Sequence, residues 1–141
     1  MGLFDLFKKA SPLGRQASII KARAEQGDPE AQSVLGELHR KGDGVSQSNS
    51  EALYWFRKSA VGGNAIGQFN LAVMIFSGEG VKQDVVEGYK WILRAASSST
   101  MLSKQQDDEL VRNQIDAIKK LIESNLTLEQ LAEGKRQALA S

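Results

Sequence analysis

The chain contains no cysteine, which removes disulfides, thiolate nucleophiles and thiolate metal sites in one step. A single histidine, His39, is present, so a metal ion would find no second imidazole beside it. Charge of one sign is lacking too: 18 basic residues stand against 17 acidic ones, for a net charge of +1. No basic run is longer than Lys8-Lys9 or Lys119-Lys120. That balance supplies no field for nucleic acid or for an anionic membrane. Nor does any run of about 18 apolar residues offer a membrane span. At the N-terminus, Met1-Gly-Leu-Phe-Asp-Leu-Phe-Lys-Lys places apolar residues before basic ones, the reverse of a secretory signal. Leu6 stands where a myristoylation motif wants Ser or Thr. The expectation is a soluble cytoplasmic protein. At 141 residues and 41% hydrophobic composition, the chain can bury one compact core.

What the chain does have is a period of 36 residues. With Ala31–Asn64 set above Gly67–Thr100, Gln32 meets Gln68, Leu35 meets Leu71, Gly42 meets Gly78, and Gly44-Val45 meets Gly80-Val81. Gln47 then meets Gln83, Glu51 meets Glu87, Trp55 meets Trp91 and Ala60 meets Ala96. A fixed period of this length marks stacked repeats, each a helical hairpin that cannot bury its apolar face alone.

Caps place the helices. Asp28-Pro29 supplies an N-cap and a proline at the first helical position, and the helix then runs through Leu35 and Leu38 to a stop at Gly42. Ser48-Asn-Ser-Glu51 reads as a capping box opening a helix that ends at Gly62-Gly63. Asn64 caps the next helix, which stops at Gly78, and Asp84-Val-Val-Glu87 reads as a second capping box. Backwards, Ile19-Ile20 corresponds to Trp55-Phe56 and Ala24 to Ala60, so residues 11–28 form half a repeat. Beyond Ser97-Ser-Ser-Thr100, which stands where a glycine stop would, Val111, Ile115, Ile118 and Ile122 follow at helical spacing. Thr127-Leu-Glu-Gln130 opens a last helix. The expected organisation is an arm at 1–10, a cap helix at 11–28, repeats at 29–64 and 65–100, and capping helices at 101–141. The fold class is all-α, an α-solenoid of about seven helices.

The phrases Ala-x3-Leu-Gly-x2-His-x2-Gly-x-Gly-Val and Ala-x2-Trp-Phe-x2-Ser-Ala-x2-Gly-Asn, carried by residues 31–45 and 52–64, resemble the Sel-one-like repeat of the tetratricopeptide-like superfamily. Leu71, Ala72, Gly78, Gly80, Val81, Asp84, Trp91, Ala95 and Ala96 carry the resemblance through the second repeat. His39, Gly88 and Ser99 depart from it, standing where the family has Tyr, Ala and Gly. The resemblance implies antiparallel helix pairs wound into a right-handed superhelix and a role as adaptor or scaffold for other proteins. Some secreted relatives are disulfide-linked and act on penicillin-type compounds, an activity not carried over to this cysteine-free chain.

The glycine pairs at 42/44 and 78/80 follow helices and lack a phosphate loop's Lys-Ser/Thr, so they read as structural turns. His39 has no nucleophile near it in the sequence and reads as a packed ring; Trp55 and Trp91 read as core. Small residues at 36, 52, 72 and 88 read as points of close helix approach.

Candidate function lies on the other face of each first helix. Ser33, Glu37 and Arg40 in the first repeat correspond to Phe69, Val73 and Phe76 in the second. The resemblance places such residues in the concave groove, and an apolar stripe left open there is an interaction surface. The same stripe could instead be covered by the helix at 104–124, or could pair two copies as a homodimer. Leu3, Phe4, Leu6 and Phe7 form a short amphipathic arm that could pack on the first helix, enter a partner groove or touch lipid weakly. The expected function is non-enzymatic: a bacterial cytoplasmic adaptor or regulatory protein binding a protein or peptide through the groove. An inhibitor or immunity protein that occludes a toxin or enzyme is the alternative, and a hydrolase a remote one. No catalytic residue, cofactor, metal or nucleic acid is expected.

Overall fold

The computed structural model describes residues 12–99 and 106–140. Their regular structure is entirely helical: α1 (Pro12–Glu25), α2 (Pro29–Lys41), α3 (Asn49–Val61), α4 (Ala65–Ser77), α5 (Val85–Ser99), α6 (Gln106–Asn125) and α7 (Leu128–Leu139). Helices α2 and α3 pack as one pair and α4 and α5 as the next, while α1 packs on α2 and α3 on α4. This is the α-solenoid implied by the repeat. None of the described helices is long and apolar enough to cross a membrane. The amphipathic arm at Leu3, Phe4, Leu6 and Phe7 lies outside the described residues.

Helix starts follow from side chains that take up orphan N–H groups. Asp28 accepts from the amides of Glu30 at 3.0 Å and Ala31 at 3.4 Å, and Asn64 accepts from Gly67 at 2.9 Å. The stops are glycines: Gly42 and Gly78 adopt φ of 78° and 77°, and their N–H groups reach the carbonyls of Leu38 and Met74. A side chain at either position would be strained in that left-handed backbone.

The two expected capping boxes are corrected by the structure. Ser48 accepts from the Glu51 amide at 3.2 Å and Asp84 from the Glu87 amide at 2.9 Å, which is half of each box. The other half is not formed, because the loop turns back and spends the cap's own N–H elsewhere. The Ser48 amide donates to the carbonyl of His39 at 2.9 Å, and the Asp84 amide to that of Ile75 at 3.1 Å. Among the helices with described caps, Thr127 and Gln130 of α7 form a complete box. Freed from its box, Glu87 accepts from Arg57 of the preceding repeat at 3.0 Å and from the Trp91 indole at 3.4 Å.

Identical glutamines hold the repeats together. Gln32 Nε2 donates to the Ala24 carbonyl at 3.1 Å and Gln68 Nε2 to the Ala60 carbonyl at 3.2 Å, each tying a first helix to the end of the helix before it. Gln47 and Gln83 close the loops inside each pair by donating to the carbonyls of Arg40 and Phe76. His39 is half-buried rather than fully packed, with Nδ1 3.1 Å from the Ser46 carbonyl in the same loop.

The main core joins Phe56, Leu71, Met74, Ile75 and Ile92 to Ile115 and Ile122 of α6. A second cluster seats Trp55 on Ala24, Ala31 and Leu35. Trp55 and Trp91 are 7% and 4% exposed, whereas Ile19, their counterpart, is 64% exposed. No described helix precedes α1 to cover that position. Past the repeats, α5 continues through Ser97 to Ser99, and both α6 and α7 pack on it. Tyr89, fully buried, lies against Gly134 of α7 and donates to Glu123 of α6 at 2.7 Å, so one side chain binds three helices.

Candidate functional site

A groove of about 420 Å³ runs along α2 beside the first half of α4. From α2 and the turn after it come Glu30, Ser33, Val34, Glu37, Leu38, Arg40, Lys41 and Asp43; from α4 come Ile66 and Asn70. The spacing places these on one side: 30, 34, 37 and 41 share a stripe, as do 66 and 70.

Its apolar part is Val34, 40% exposed, Ile66, 37% exposed, and the half-buried Leu38. Charge gathers at the C-terminal end of α2. Arg40 clasps Glu37 through two hydrogen bonds of 2.9 and 2.7 Å, and Lys41 Nζ lies 3.0 Å from the same carboxylate. The Arg40 bond, with help from Lys41, holds the Glu37 carboxyl below the usual range. Cations in the last turn also suit the negative end of the helix dipole.

Of the residues expected at the partner surface, Ser33, Glu37 and Arg40 all line this groove. Ser33 is 3% exposed and its hydroxyl donates to the Glu30 carbonyl at 2.8 Å, so the side chain contributes to the wall and offers little to a partner. Phe69, Val73 and Phe76 are half-buried and do not line it. The reason is angular. Phe69 and Phe76 share a stripe with Ala65 and Ala72, which are buried, and both rings pack on the main core. Phe76 leans on α5, where a Cβ at Gly88 would lie 3.1 Å from its own Cβ. Val73 belongs to the neighbouring stripe with Ile66 and Asn70.

Val34, Ile66 and Asn70 were not singled out from the sequence, yet a signal existed. Val34 corresponds to Asn70 and Ile66 to Glu30. Each position is polar in one repeat and apolar in the other, a pattern that flags it as a surface candidate, although the same pattern at 33/69 and 40/76 falls on rings that pack inward.

The groove residues contain no nucleophile with a base beside it. Among the described residues, no group of three or more His, Asp and Glu side chains is placed to hold a metal ion.

Two matches to the Sel1 repeat model cover residues 29–64 and 65–99, together half of the chain. No curated protein matches it. Among solved structures, c5321, a protective antigen present in uropathogenic Escherichia coli strains and displaying an SLR fold, superposes with a TM-score of 0.73 at 25% identity. That match covers 94% of this chain and 26% of the antigen. A Sel1 repeat protein from Oxalobacter formigenes superposes with a TM-score of 0.59 at 30% identity, over 60% of this chain and 35% of that one. The chain thus spans about a quarter to a third of the length of these relatives. With a repeat model matched twice in succession and the same solenoid in both neighbours, the chain belongs to the Sel1 repeat family.

Proposed function

We propose that this protein is a non-enzymatic adaptor or regulatory protein of the bacterial cytoplasm that binds a partner protein through the groove between α2 and α4. Sel1 repeat proteins generally mediate protein–protein interaction. The observation that carries the reading for this chain is the exposed pair Val34 and Ile66 in the groove. Both sit on helices whose buried faces are already supplied by Leu35, Leu71 and Met74, so neither is needed for packing. Glu37 and Arg40 form a polar rim around them, the usual anatomy of a small interface. Val73, next along the Ile66–Asn70 stripe, extends the surface, while Phe69 and Phe76 support it from behind.

The test is capture from native bacterial lysate by tagged wild type and by the Val34→Asp/Ile66→Asp variant. Both changes are at exposed sites, and helical circular dichroism checks the fold. A protein retained by wild type and lost by the folded variant supports the groove; equal retention by both contradicts it.

A further inference from the structure

The groove's charges are not evenly satisfied, and this selects among partners. It carries three carboxylates, Glu30, Glu37 and Asp43, and two cations, Arg40 and Lys41. Both cations converge on Glu37, at 2.7 and 3.0 Å. Arg40 is additionally held by the nearby charge of Glu79. Each positive side chain is therefore already paired with a carboxylate of the protein. Glu30 and Asp43 are both exposed, and their carboxylates have no hydrogen-bond or ion-pair partner among the described residues. They stand at opposite ends of the groove with the apolar stretch of Val34, Leu38 and Ile66 between them.

Resting on the reading that this groove is the binding site, we infer that its occupant is a basic segment with an apolar centre: one or more aliphatic side chains seated on Val34, Leu38 and Ile66, flanked by Lys or Arg groups that meet Glu30 at one end and Asp43 at the other. Glu30 lies in the first turn of α2 and Asp43 in the turn just past its end at Lys41, so the helix between them spans about 16 Å along its axis. An extended chain covers that distance in roughly five residues. An acidic partner would place its charges against two unpaired carboxylates, since the two cations that line the groove already pair with Glu37.

Three fluorescein-labelled peptides test this by anisotropy. The first has two lysines, three leucines separated by serines, and two further lysines; the second replaces lysine by glutamate; the third replaces leucine by serine. Wild type is expected to bind the first at least about fivefold more tightly than either other peptide at low salt, with the advantage over the glutamate peptide fading at about 0.5 M salt as screening takes over. Glu30→Gln/Asp43→Asn should weaken the first peptide by about three- to tenfold without changing helical content. Equal or tighter binding of the glutamate peptide, or no binding of the first, overturns the inference. Val34→Asn separates this from the reading beneath it. If the glutamate peptide wins and its binding falls with Val34→Asn, the groove stands and the charge preference is wrong. If the lysine peptide binds wild type and Val34→Asn equally, the groove itself is wrong.

Discussion

Gly36 faces the ring of Phe56 so closely that a Cβ at position 36 would lie 2.6 Å from both Cδ1 and Cε1. Phe56 is fully buried and cannot move aside. One period later the same two positions hold Ala72 and Ile92, both fully buried. The chain thus solves one packing problem twice: glycine against phenylalanine in the first repeat, alanine against isoleucine in the second.

Gly36→Ala should therefore destabilise by about 1–3 kcal/mol through overpacking. In Phe56→Ile, which alone leaves a void, the same glycine change should cost less, giving a coupling of about 1 kcal/mol or more in a double-mutant cycle read by urea unfolding. Additive effects would show that the two positions do not share the constraint.

Tyr89 is expected to govern the docking of the C-terminal helices. Tyr89→Phe removes the bond to Glu123 while keeping the ring against Gly134, and should cost about 1–2 kcal/mol. Burial, and then the Glu123 carboxylate beside it, push the Tyr89 phenol well above its ordinary value. The unfolded chain ionises near pH 10 while the native chain does not, so the native state binds the extra proton. Stability from this group is complete below about pH 10 and declines as pH rises beyond it. Wild type should lose stability above pH 10 more steeply than Tyr89→Phe; parallel curves would count against a buried, bonded phenol.

Acid acts in the opposite sense. The Asp28 carboxyl is held low chiefly by the Arg23 hydrogen bond, and the Glu37 carboxyl chiefly by Arg40. Each contributes stability that is present above its ordinary carboxylate pKa and is lost as pH falls through the depressed one. The urea midpoint should be flat across neutral pH and drop below about pH 4. Glu37→Gln should show a shallower acid limb than wild type. An unchanged limb would mean that the Glu37–Arg40–Lys41 cluster is not maintained in solution.

The cap at Asn64 joins the two repeats, since its side chain takes the Gly67 amide at the start of α4. Asn64→Ala should cost about 1 kcal/mol and Asn64→Asp much less. Equal losses in thermal unfolding would place the effect outside the cap.

The repeat helices were legible because their main boundary signals occur twice: Gly42 and Gly78, Asp28 and Asn64, Ser48 and Asp84 each confirm the other at one spacing. The fate of the capping boxes was not legible, because it depends on where the loop carries the amides of Ser48 and Asp84. Nor does spacing alone show which of two adjacent stripes on α4 turns toward α5. Phe69, Val73 and Phe76 all lie within the same arc, and the burial of Ala65 and Ala72 separates the rings from Val73. Tyr89 gave no sign of its role either, since its counterpart is Leu53 and its partners Glu123 and Gly134 lie far along the chain.

The most direct test of the account is photo-crosslinking inside the native host. A photoreactive amino acid is placed at position 34 or 70 in the groove, or at position 61 on α3, where Val61 is 75% exposed and outside the groove. The account predicts a discrete adduct to another protein from positions 34 and 70 and none of that mass from position 61. An adduct from position 61 with none from 34 or 70 would contradict it and move the working surface to the second helices of the solenoid.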